Sequence, residues 1–321
     1  MSGTLPRPGP RALRCVLAAA LVLACWGCGG SSEDESVGGD PATDKLAQIL
    51  TRGTLVLSTD LEYPPQSYRV DAAKRSDETK CAGHQLTGGQ VTGYDAETGK
   101  LVASALGVEP CFVNPRWTEI VAGNWGDRWD IAFGSGSVDA DRMQRLYMTQ
   151  PYYATPAYLF VRRDSGARSV ADLDGKRVGV CASCTHEQYL QGTLAIPGEK
   201  IRFRLGRAEP VGYNVERPGL EALGRGEIDA FLAQAPVGNQ AIDEGLPLQA
   251  IRDALFFEYA SGFVDRSSGL DSIAFVERVN GIVAQLHAEG KLRALSQKFF
   301  DEDYTAEAAG FELDALGQKV P

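Results

Sequence analysis

A run of small polar residues that ends in one arginine is the part of this sequence best suited to bind a ligand. Residues 130–142 read DIAFGSGSVDADR, so an apolar stretch leads to Ser135, Ser137 and then Arg142. The glycines beside the serines let backbone N–H groups and hydroxyls approach a ligand, and arginine offers a planar pair of donors that matches a carboxylate. A polar loop with a solvated arginine would have the same composition. We interpret the segment as the site of a small anion.

Strands and helices alternate around this segment. Strands are predicted at residues 54–58, 157–161, 177–180 and 228–232, and helices at 46–52, around 101–106, at 170–173, at 219–224 and, split at Gly290, at 273–300. This alternation indicates a mostly parallel sheet with ligands at the carboxyl ends of its strands. A second unit begins after residue 153, which predicts a second lobe.

Composition limits the classes of partner. The chain has 321 residues, 44% of them hydrophobic and 23% charged, as expected for a globular protein of two domains. Its formal net charge of -10 argues against nucleic acid or an anionic membrane surface as a partner, because both attract a basic face.

The amino-terminal residues predict export. Arginines precede a short apolar run at 15–24, and Cys25 and Cys28 follow it, as in the signal of a bacterial lipoprotein. Residues 1–24 are therefore interpreted as a lipoprotein signal peptide and 25–45 as a flexible acidic tether. Cys25, which follows an aliphatic and a small residue, is preferred over Cys28 as the acylated cysteine. An ordinary cleaved secretory signal is the alternative, and it also exports the protein.

Four further cysteines are present, and an exported chain favours disulfides between them. Of the three pairings we predict Cys81 with Cys111, which flank one strand–helix–strand unit, and Cys181 with Cys184, which are close in sequence. The Cys-Ala-Ser-Cys motif is also compatible with a thioredoxin-like redox pair or half a zinc site. With three histidines and no second such motif, zinc has too few ligands. No metal and no cofactor are predicted.

Short motifs follow one another in a recognisable order: GTL at 53–55, GYD at 93–95, WDI at 129–131, QPYY at 150–153, LDGKRVGV at 173–180, GEIDA at 226–230 and GKL at 290–292. In this order they resemble the bacterial extracellular solute-binding protein family 3, the periplasmic receptors that feed polar amino acids to ABC importers. The resemblance extends over nearly everything after residue 46.

The resemblance implies an α/β fold of the periplasmic-binding-protein type II kind, in which a two-strand hinge joins two α/β lobes around a ligand cleft. Lobe 1 is then discontinuous, with residues 46–154 and 257–321, and lobe 2 comprises residues 155–256. A ligand between such lobes stabilises the closed form through contacts made only there.

The resemblance also implies roles for single residues. Asp60 faces the distal group of the ligand, and Tyr63 and Trp117 lie on either side of its aliphatic or planar part. The ligand carboxylate is held by Ser135, Ser137 and Arg142.

Two second-lobe positions complete the predicted site. Thr185 adds donors, and its spacing to Gln188 is that of a helix capping box. Gln234 stands where the family typically has an aspartate that neutralises the α-ammonium group of the ligand. Because an amide carries no charge, either Asp60 or another acid compensates, or the solute lacks that group.

The resemblance implies a non-catalytic monomeric receptor that captures a small carboxylate-bearing solute, an amino acid or analogue, and delivers it to an ABC-type permease. A lipid anchor is its expected membrane contact. Two alternatives use the same fold. One is a cyclohexadienyl dehydratase-like enzyme, with Asp60 or Glu187 as general acid. The other is a sensory solute-binding protein.

Overall fold

Two mixed sheets form the framework of the protein. The computed structural model describes residues 39–318, so the predicted signal peptide and the lipidation candidates Cys25 and Cys28 lie outside the described residues. The strands are β1 (Thr54–Ser58), β2 (Glu62–Tyr63), β3 (Ser67–Arg69), β4 (Leu86–Thr87), β5 (Val91–Thr92), β6 (Glu109–Val113), β7 (Ile131–Ala132), β8 (Leu146–Met148), β9 (Tyr153–Arg162), β10 (Arg177–Cys181), β11 (Glu209–Tyr213), β12 (Ala230–Gln234), β13 (Leu248–Ile251), β14 (Phe257–Ala260) and β15 (Phe263–Asp265).

Helices separate most of the strands, as the sequence predicts. They are α1 (Lys45–Arg52), α2 (Tyr94–Ala105), α3 (Trp117–Ala122), α4 (Thr185–Leu190), α5 (Glu216–Arg225), α6 (Ala235–Asp243), α7 (Ile273–Ala288), α8 (Lys291–Phe300) and α9 (Ala306–Ala309), with 3-10 turns at Gly88–Gln90, Arg142–Gln144, Val170–Leu173 and Leu313–Leu316. The predicted break at Gly290 is confirmed, because this residue takes a left-handed φ of 69° between α7 and α8.

The first sheet has the strand order β4-β6-β1-β7-β15-β8. Its centre is parallel, with β1 between β6 and β7, while β4, β15 and β8 run antiparallel to their neighbours. All five residues of β1 are buried. Side chains of α2 and α7, among them Val102, Phe275 and Val279, join Leu55 and Leu57 in one apolar core. This explains the apolar centre of the strand, Leu55 to Leu57, between Thr54 and Ser58.

The second sheet has the order β11-β10-β12-β9-β13. Strands β10, β11 and β12 are parallel, and β9 pairs antiparallel with both β12 and β13. The strand predicted at 228–232 is displaced to Ala230–Gln234, because Ile228 and Asp229 belong to the turn that follows α5. Gln234 is therefore the last residue of β12.

Two strands cross between the sheets. The amino-terminal half of β9 pairs with β14, with Glu258 opposite Thr155, and its carboxyl-terminal half lies in the second sheet. The fold thus has two α/β lobes that share a pair of antiparallel connections, as predicted. The lobe boundaries at 154/155 and 256/257 stay a prediction.

The predicted pairing of Cys81 with Cys111 is confirmed. Cys81 and Cys111 form a disulfide with a Cα–Cα separation of 5.4 Å, which ties the long loop before β4 to β6. Within the described part of the chain, no helix is both long and apolar enough to cross a bilayer.

A buried charge cluster stabilises the start of the first lobe. The Asp130 carboxylate accepts a hydrogen bond from the backbone N–H of Val56 at 2.8 Å and pairs with Lys45, whose Nζ lies 3.0 Å away, and with Arg52. Lys45 and Asp130 are each 2% exposed. Removing one partner would leave a buried charge without compensation.

We therefore expect Asp130→Ala to lower the free energy of unfolding by about 3–5 kcal/mol in urea denaturation. Asp127→Ala is the matched control, because the Asp127 side chain is 70% exposed and only 3.6 Å from Lys45 Nζ. It should change stability by less than about 0.5 kcal/mol. Equal losses in both variants would contradict this account.

Candidate ligand-binding cleft

One cavity between the two lobes brings together every side chain that the sequence predicts to contact ligand: Asp60, Tyr63, Trp117, Ser135, Ser137, Arg142, Thr185 and Gln234. Most of them follow the carboxyl end of a parallel strand, where ligands of α/β sheets bind. Asp60 follows β1, the two serines follow β7, and Thr185 follows β10. Their contact with a ligand stays a prediction.

Arg142 lines the cavity and is 2% exposed. Its Nε is 2.9 Å from Oδ2 of Asp139, Nη1 donates to the Ser137 carbonyl at 2.9 Å, and Nη2 donates to the Ser183 carbonyl at 3.2 Å. Each Nη atom carries two N–H groups, so one N–H on each remains beyond these contacts. Two such donors match the two oxygens of a carboxylate.

The cysteine motif lines the cavity and contacts Arg142. Cys181 and Cys184 are joined in a disulfide, and both line the cavity. Between them, Ser183 takes a left-handed φ of 62°, which is uncommon for serine. Its carbonyl thereby accepts from Arg142 and from Nε1 of Trp117 at 3.4 Å. The short disulfide loop therefore supports two of the predicted contact residues.

Ser135 is predicted to hold the ligand carboxylate, but its donors contact other groups of the protein. Its hydroxyl donates to Asp95 at 2.6 Å and accepts from Tyr153, and its backbone N–H donates to the Tyr152 hydroxyl at 3.1 Å. Burial raises the pKa of Asp95 to about 7, against the hydrogen bonds from Ser135 and Tyr152. Ser135 lines the cavity, but its donors are already engaged within the first lobe.

Ser137 and Thr185 donate to a carboxylate that belongs to the protein. Oε1 of Glu258, on β14, accepts from Ser137 Oγ at 2.9 Å and from Thr185 Oγ1. The capping-box interpretation of Thr185 and Gln188 is wrong, because Cys184 is the N-cap of α4 and the Thr185 hydroxyl turns to Glu258 instead. In a capping box the hydroxyl would accept from a backbone N–H, whereas here it donates to a carboxylate that is distant in sequence.

His186 and Glu216 extend this arrangement. His186 Nε2 lies 3.1 Å from Oε2 of Glu258, and Nδ1 lies 3.9 Å from Oε1 of Glu216. Burial alone would raise the pKa of Glu258, but His186 and the two hydroxyl donors lower it to about 2. Burial would lower the pKa of His186, but the two glutamates raise it. We call His186, Glu216 and Glu258 the acidic cluster.

Glu216 has the weakest compensation in the acidic cluster. It is 4% exposed, lines the cavity as the first residue of α5, and its Oε2 has no hydrogen-bond partner among the described residues. Burial raises its pKa to about 7, although His186 acts in the opposite direction. At neutral pH the cavity therefore contains a carboxyl group close to its titration midpoint.

The remaining predicted residues lie around this centre. Asp60 is half-buried, and burial raises its pKa. Gln234 is 3% exposed, and its Oε1 accepts from the Tyr153 hydroxyl at 3.2 Å. The Trp117 ring centroid is 5.1 Å from the Arg142 guanidinium carbon, a cation–π distance. Tyr63 also lines the cavity.

Sequence reasoning missed the acidic cluster. One signal was available, because Glu258 is the single charged residue in the apolar run FFEYA at 256–260, and a charge in a buried strand requires a partner. No comparable signal marked Glu216, which precedes an ordinary helix, or His186, which only its tertiary contacts distinguish.

Glu216 supplies a test of this electrostatic description. Its folded-state pKa of about 7 exceeds the ordinary value of 4.5, so its burial lowers stability as pH rises through that window. We expect the free energy of unfolding of Glu216→Gln to rise by about 3 kcal/mol relative to that of wild type between pH 4 and pH 8, measured by urea denaturation. Glu209→Gln, at an exposed position, is the control, and its stability relative to wild type should be the same at both pH values. A pH-independent effect of Glu216→Gln would contradict the assignment.

Relatives of known function align over most of the chain. It is 25% identical over 262 residues to the L-cystine-binding protein TcyJ of Escherichia coli K12, which covers 81% of this chain and 87% of the relative. It is 26% identical over 219 residues to the histidine-binding periplasmic protein of Salmonella typhimurium, or 67% of this chain and 81% of the relative.

A solved structure supports the fold. The ancestral amino acid-binding protein AncCDT-1, a precursor of cyclohexadienyl dehydratase, superposes with a TM-score of 0.63 at 22% identity, over 80% of this chain and all of that one. This similarity confirms the predicted two-lobed α/β fold.

The family assignment follows from the sequence match over both lobes. The profile of the family matches residues 55–302, which include both sheets, both crossing strands and the whole cavity lining. The resemblance drawn from the short motifs is thereby confirmed, and the chain belongs to the bacterial extracellular solute-binding proteins, family 3.

Proposed function

We propose that the protein is an extracytoplasmic receptor that captures a small carboxylate-bearing solute, an amino acid or analogue, and delivers it to an ABC-type permease. The observation that carries this proposal is the buried guanidinium of Arg142. It lines an interlobal cavity, and one N–H group on each Nη atom remains beyond its contacts with the Ser137 and Ser183 carbonyls. The relatives named for cystine and histidine binding support an amino acid as the solute.

In this proposal the solute carboxylate takes the remaining N–H groups of Arg142, beside the Trp117 ring. Tyr63 and Trp117 enclose the solute, and Asp60 faces its distal end. Ser137 and Thr185 act through Glu258, which holds their hydroxyls in the structure. Gln234 and Ser135 complete the wall of the cavity.

Closure of the lobes follows from where the contacts lie. Arg142 and Trp117 belong to the proposed lobe 1 (residues 46–154 and 257–321), and Thr185 and Glu216 to the proposed lobe 2 (155–256). A solute that touches both sets stabilises the closed arrangement through contacts that the open arrangement lacks. The crossing strands β9 and β14 serve as the hinge.

The cellular setting follows from the sequence prediction of export. We propose a monomer that is tethered to the outer face of the membrane by lipid on Cys25, or on Cys28, and that docks on its permease. Lipidation is tested by mass spectrometry of the membrane-extracted protein.

Catalysis is the second candidate, because the structurally similar AncCDT-1 is named as a precursor of an enzyme and burial raises the pKa of the Glu216 carboxyl group to about 7. We favour binding without turnover. Incubation of purified protein with prephenate and arogenate, followed by product analysis, separates the two, since a receptor leaves both compounds unchanged.

Arg142 provides the direct test of solute capture. A thermal-shift screen of amino acids, keto acids and related metabolites should identify a solute that raises the melting temperature. For that solute, Arg142→Ala should weaken binding by about thirty- to several-thousand-fold in calorimetry, equivalent to about 2–5 kcal/mol. Arg142→Lys keeps a charge beside Asp139 and should also bind weakly, because the two-pronged donor is lost.

The control for this experiment is Arg225→Ala, which removes an exposed arginine that pairs with Glu227. It should bind like wild type. Unchanged affinity in a folded Arg142→Lys protein would rule out the carboxylate contact.

The disulfide beside Arg142 yields a separate prediction. The double variant Cys181→Ser/Cys184→Ser should fold cooperatively but bind the solute more weakly, because the Ser183 carbonyl loses its fixed position. Removing the distant pair by Cys81→Ser/Cys111→Ser should lower stability and leave affinity intact. Calorimetry and thermal unfolding on both variants check this, and equal affinities would contradict it.

A further inference from the structure

The Cys-Ala-Ser-Cys motif places a disulfide in the wall of the solute cavity. Cys181 and Cys184 both line the cavity that Arg142 lines, and Ala182, which follows Cys181, lines the opening beside that cavity. The next residue, Ser183, is exposed to solvent. A molecule that enters the cavity therefore meets this disulfide. The other disulfide of the described residues does not line the cavity.

The two cysteines of this disulfide differ in exposure. Cys181 is 9% exposed at the end of β10, whereas Cys184 is half-buried immediately before α4. Thiol–disulfide exchange begins when a thiolate reaches one of the two sulfur atoms, and the other sulfur atom then leaves. The difference in exposure favours attack at Cys184, with Cys181 as the leaving group.

A buried histidine lies beside the same disulfide. One ring nitrogen of His186 is within 4.8 Å of the sulfur atoms of both cysteines. Burial acts to lower the pKa of His186, but Glu258 and Glu216 raise it, which favours the protonated ring. A protonated imidazole at this distance can deliver a proton to the sulfur atom that leaves.

Arg142 brings a carboxylate to the same loop. Its Nη2 donates to the carbonyl of Ser183, the residue immediately before Cys184, and one N–H on each Nη atom remains beyond such contacts. In the receptor function proposed above, those N–H groups hold the carboxylate of the solute. A solute with both a carboxylate and a thiol is thereby held beside the disulfide, which raises its effective concentration there.

We propose that the disulfide between Cys181 and Cys184 is redox-active and exchanges with a small thiol that carries a carboxylate and binds through Arg142. This inference rests on the receptor function. The solute thiol loses its proton to solvent, and its sulfur attacks Sγ of Cys184. A mixed disulfide forms, and the bond between Cys184 and Cys181 breaks. Cys181 leaves with the electron pair and takes a proton from His186. The solute sulfur is oxidised and Cys181 is reduced, so the protein disulfide is itself the oxidant.

The mixed disulfide has two routes onward. Attack by Cys181 on Cys184 reverses the reaction and releases the solute as the free thiol. Attack by a second solute thiol on the bound solute sulfur releases the solute disulfide and leaves both cysteines reduced. Each route exchanges one sulfur–sulfur bond for another, so electrons balance without a further reactant.

Matched thiols test the exchange. The oxidised protein is incubated with 3-mercaptopropionate or with its uncharged amide, quenched with acid and digested with pepsin without reduction for mass spectrometry. We expect the probe on Cys184 at short times and reduced Cys181 and Cys184 at longer times. The disulfide between Cys81 and Cys111 is the internal control, and it should stay intact under the same conditions because it does not line the cavity.

Arg142→Lys separates a directed reaction from simple accessibility. It should lower the ratio of the rate with 3-mercaptopropionate to the rate with the amide by about tenfold, because the two-pronged carboxylate contact is lost. Each thiol is compared with itself in both proteins, so differences in intrinsic reactivity cancel. Arg225→Ala, which changes an exposed arginine at the end of α5, should keep the wild-type ratio.

Single-cysteine variants identify the attacked sulfur atom and leave Arg142 in place. Cys181→Ser leaves the thiol of Cys184, and Cys184→Ser leaves that of Cys181. With 3,3′-dithiodipropionic acid, the disulfide form of the probe, Cys181→Ser should form the mixed disulfide about tenfold faster than Cys184→Ser, because Cys184 is the more exposed residue. Equal rates, or faster reaction of Cys181, would contradict attack at Cys184.

His186→Gln tests the proton donor. This variant should slow exchange of the oxidised protein with both thiols by about tenfold, because the leaving sulfur of Cys181 loses its source of a proton. An unchanged rate would contradict the role of His186.

The outcomes separate the exchange from the receptor function. If the disulfide between Cys181 and Cys184 reacts no faster than the internal control, its redox activity is overturned. If it reacts but Arg142→Lys keeps the wild-type rate ratio, the selection of carboxylate-bearing thiols is overturned. In both cases the receptor function stands when a thiol-free amino acid binds wild type and binds weakly to Arg142→Lys. If no compound of the metabolite screen binds, the receptor function itself is overturned.

Discussion

The carboxylate of Glu258, held between hydroxyls of both lobes, is the interaction on which the cleft depends. It accepts from Ser137, which follows a strand of the first sheet, and from Thr185, which follows a strand of the second. Because β14 passes between the lobes, the side chain of Glu258 on this strand reaches residues of both lobes. A charge at that position must be compensated on both sides, since an unpaired buried carboxylate would be strongly destabilising. Contacts between protein groups therefore fix the geometry of the cleft.

The other polar groups of the cleft follow from the same requirement. Arg142 is fixed by Asp139 and two carbonyls, and the Ser183 carbonyl is placed by a strained turn inside a disulfide loop. Donors that are already oriented lose little freedom when a solute arrives, so more of the contact energy is expressed as affinity. The internal contacts leave two N–H groups of Arg142 and Oε2 of Glu216 without a partner among the described residues, and a guest can use these groups.

Local patterns predicted most of the framework, and tertiary contacts decided the rest. The helix break at Gly290, the alternation of strands and helices, and the convergence of Arg142, Thr185 and Gln234 on one cavity follow from periodicity, glycine conformation and ordered motifs. The capping box failed because α4 begins at Thr185, so Cys184 takes the N-cap position, and the Thr185 hydroxyl donates to Glu258, 73 residues away. Glu216 escaped notice for a related reason, since its burial depends on the other lobe and not on its own helix.

A receptor of this construction must avoid closing firmly without solute. Glu258 favours closure, because it binds hydroxyls on both lobes. Glu216 is the unfavourable part of this arrangement, because the cleft takes its carboxyl group out of water and burial raises its pKa to about 7. The two glutamates therefore act in opposite directions on the arrangement of the two lobes.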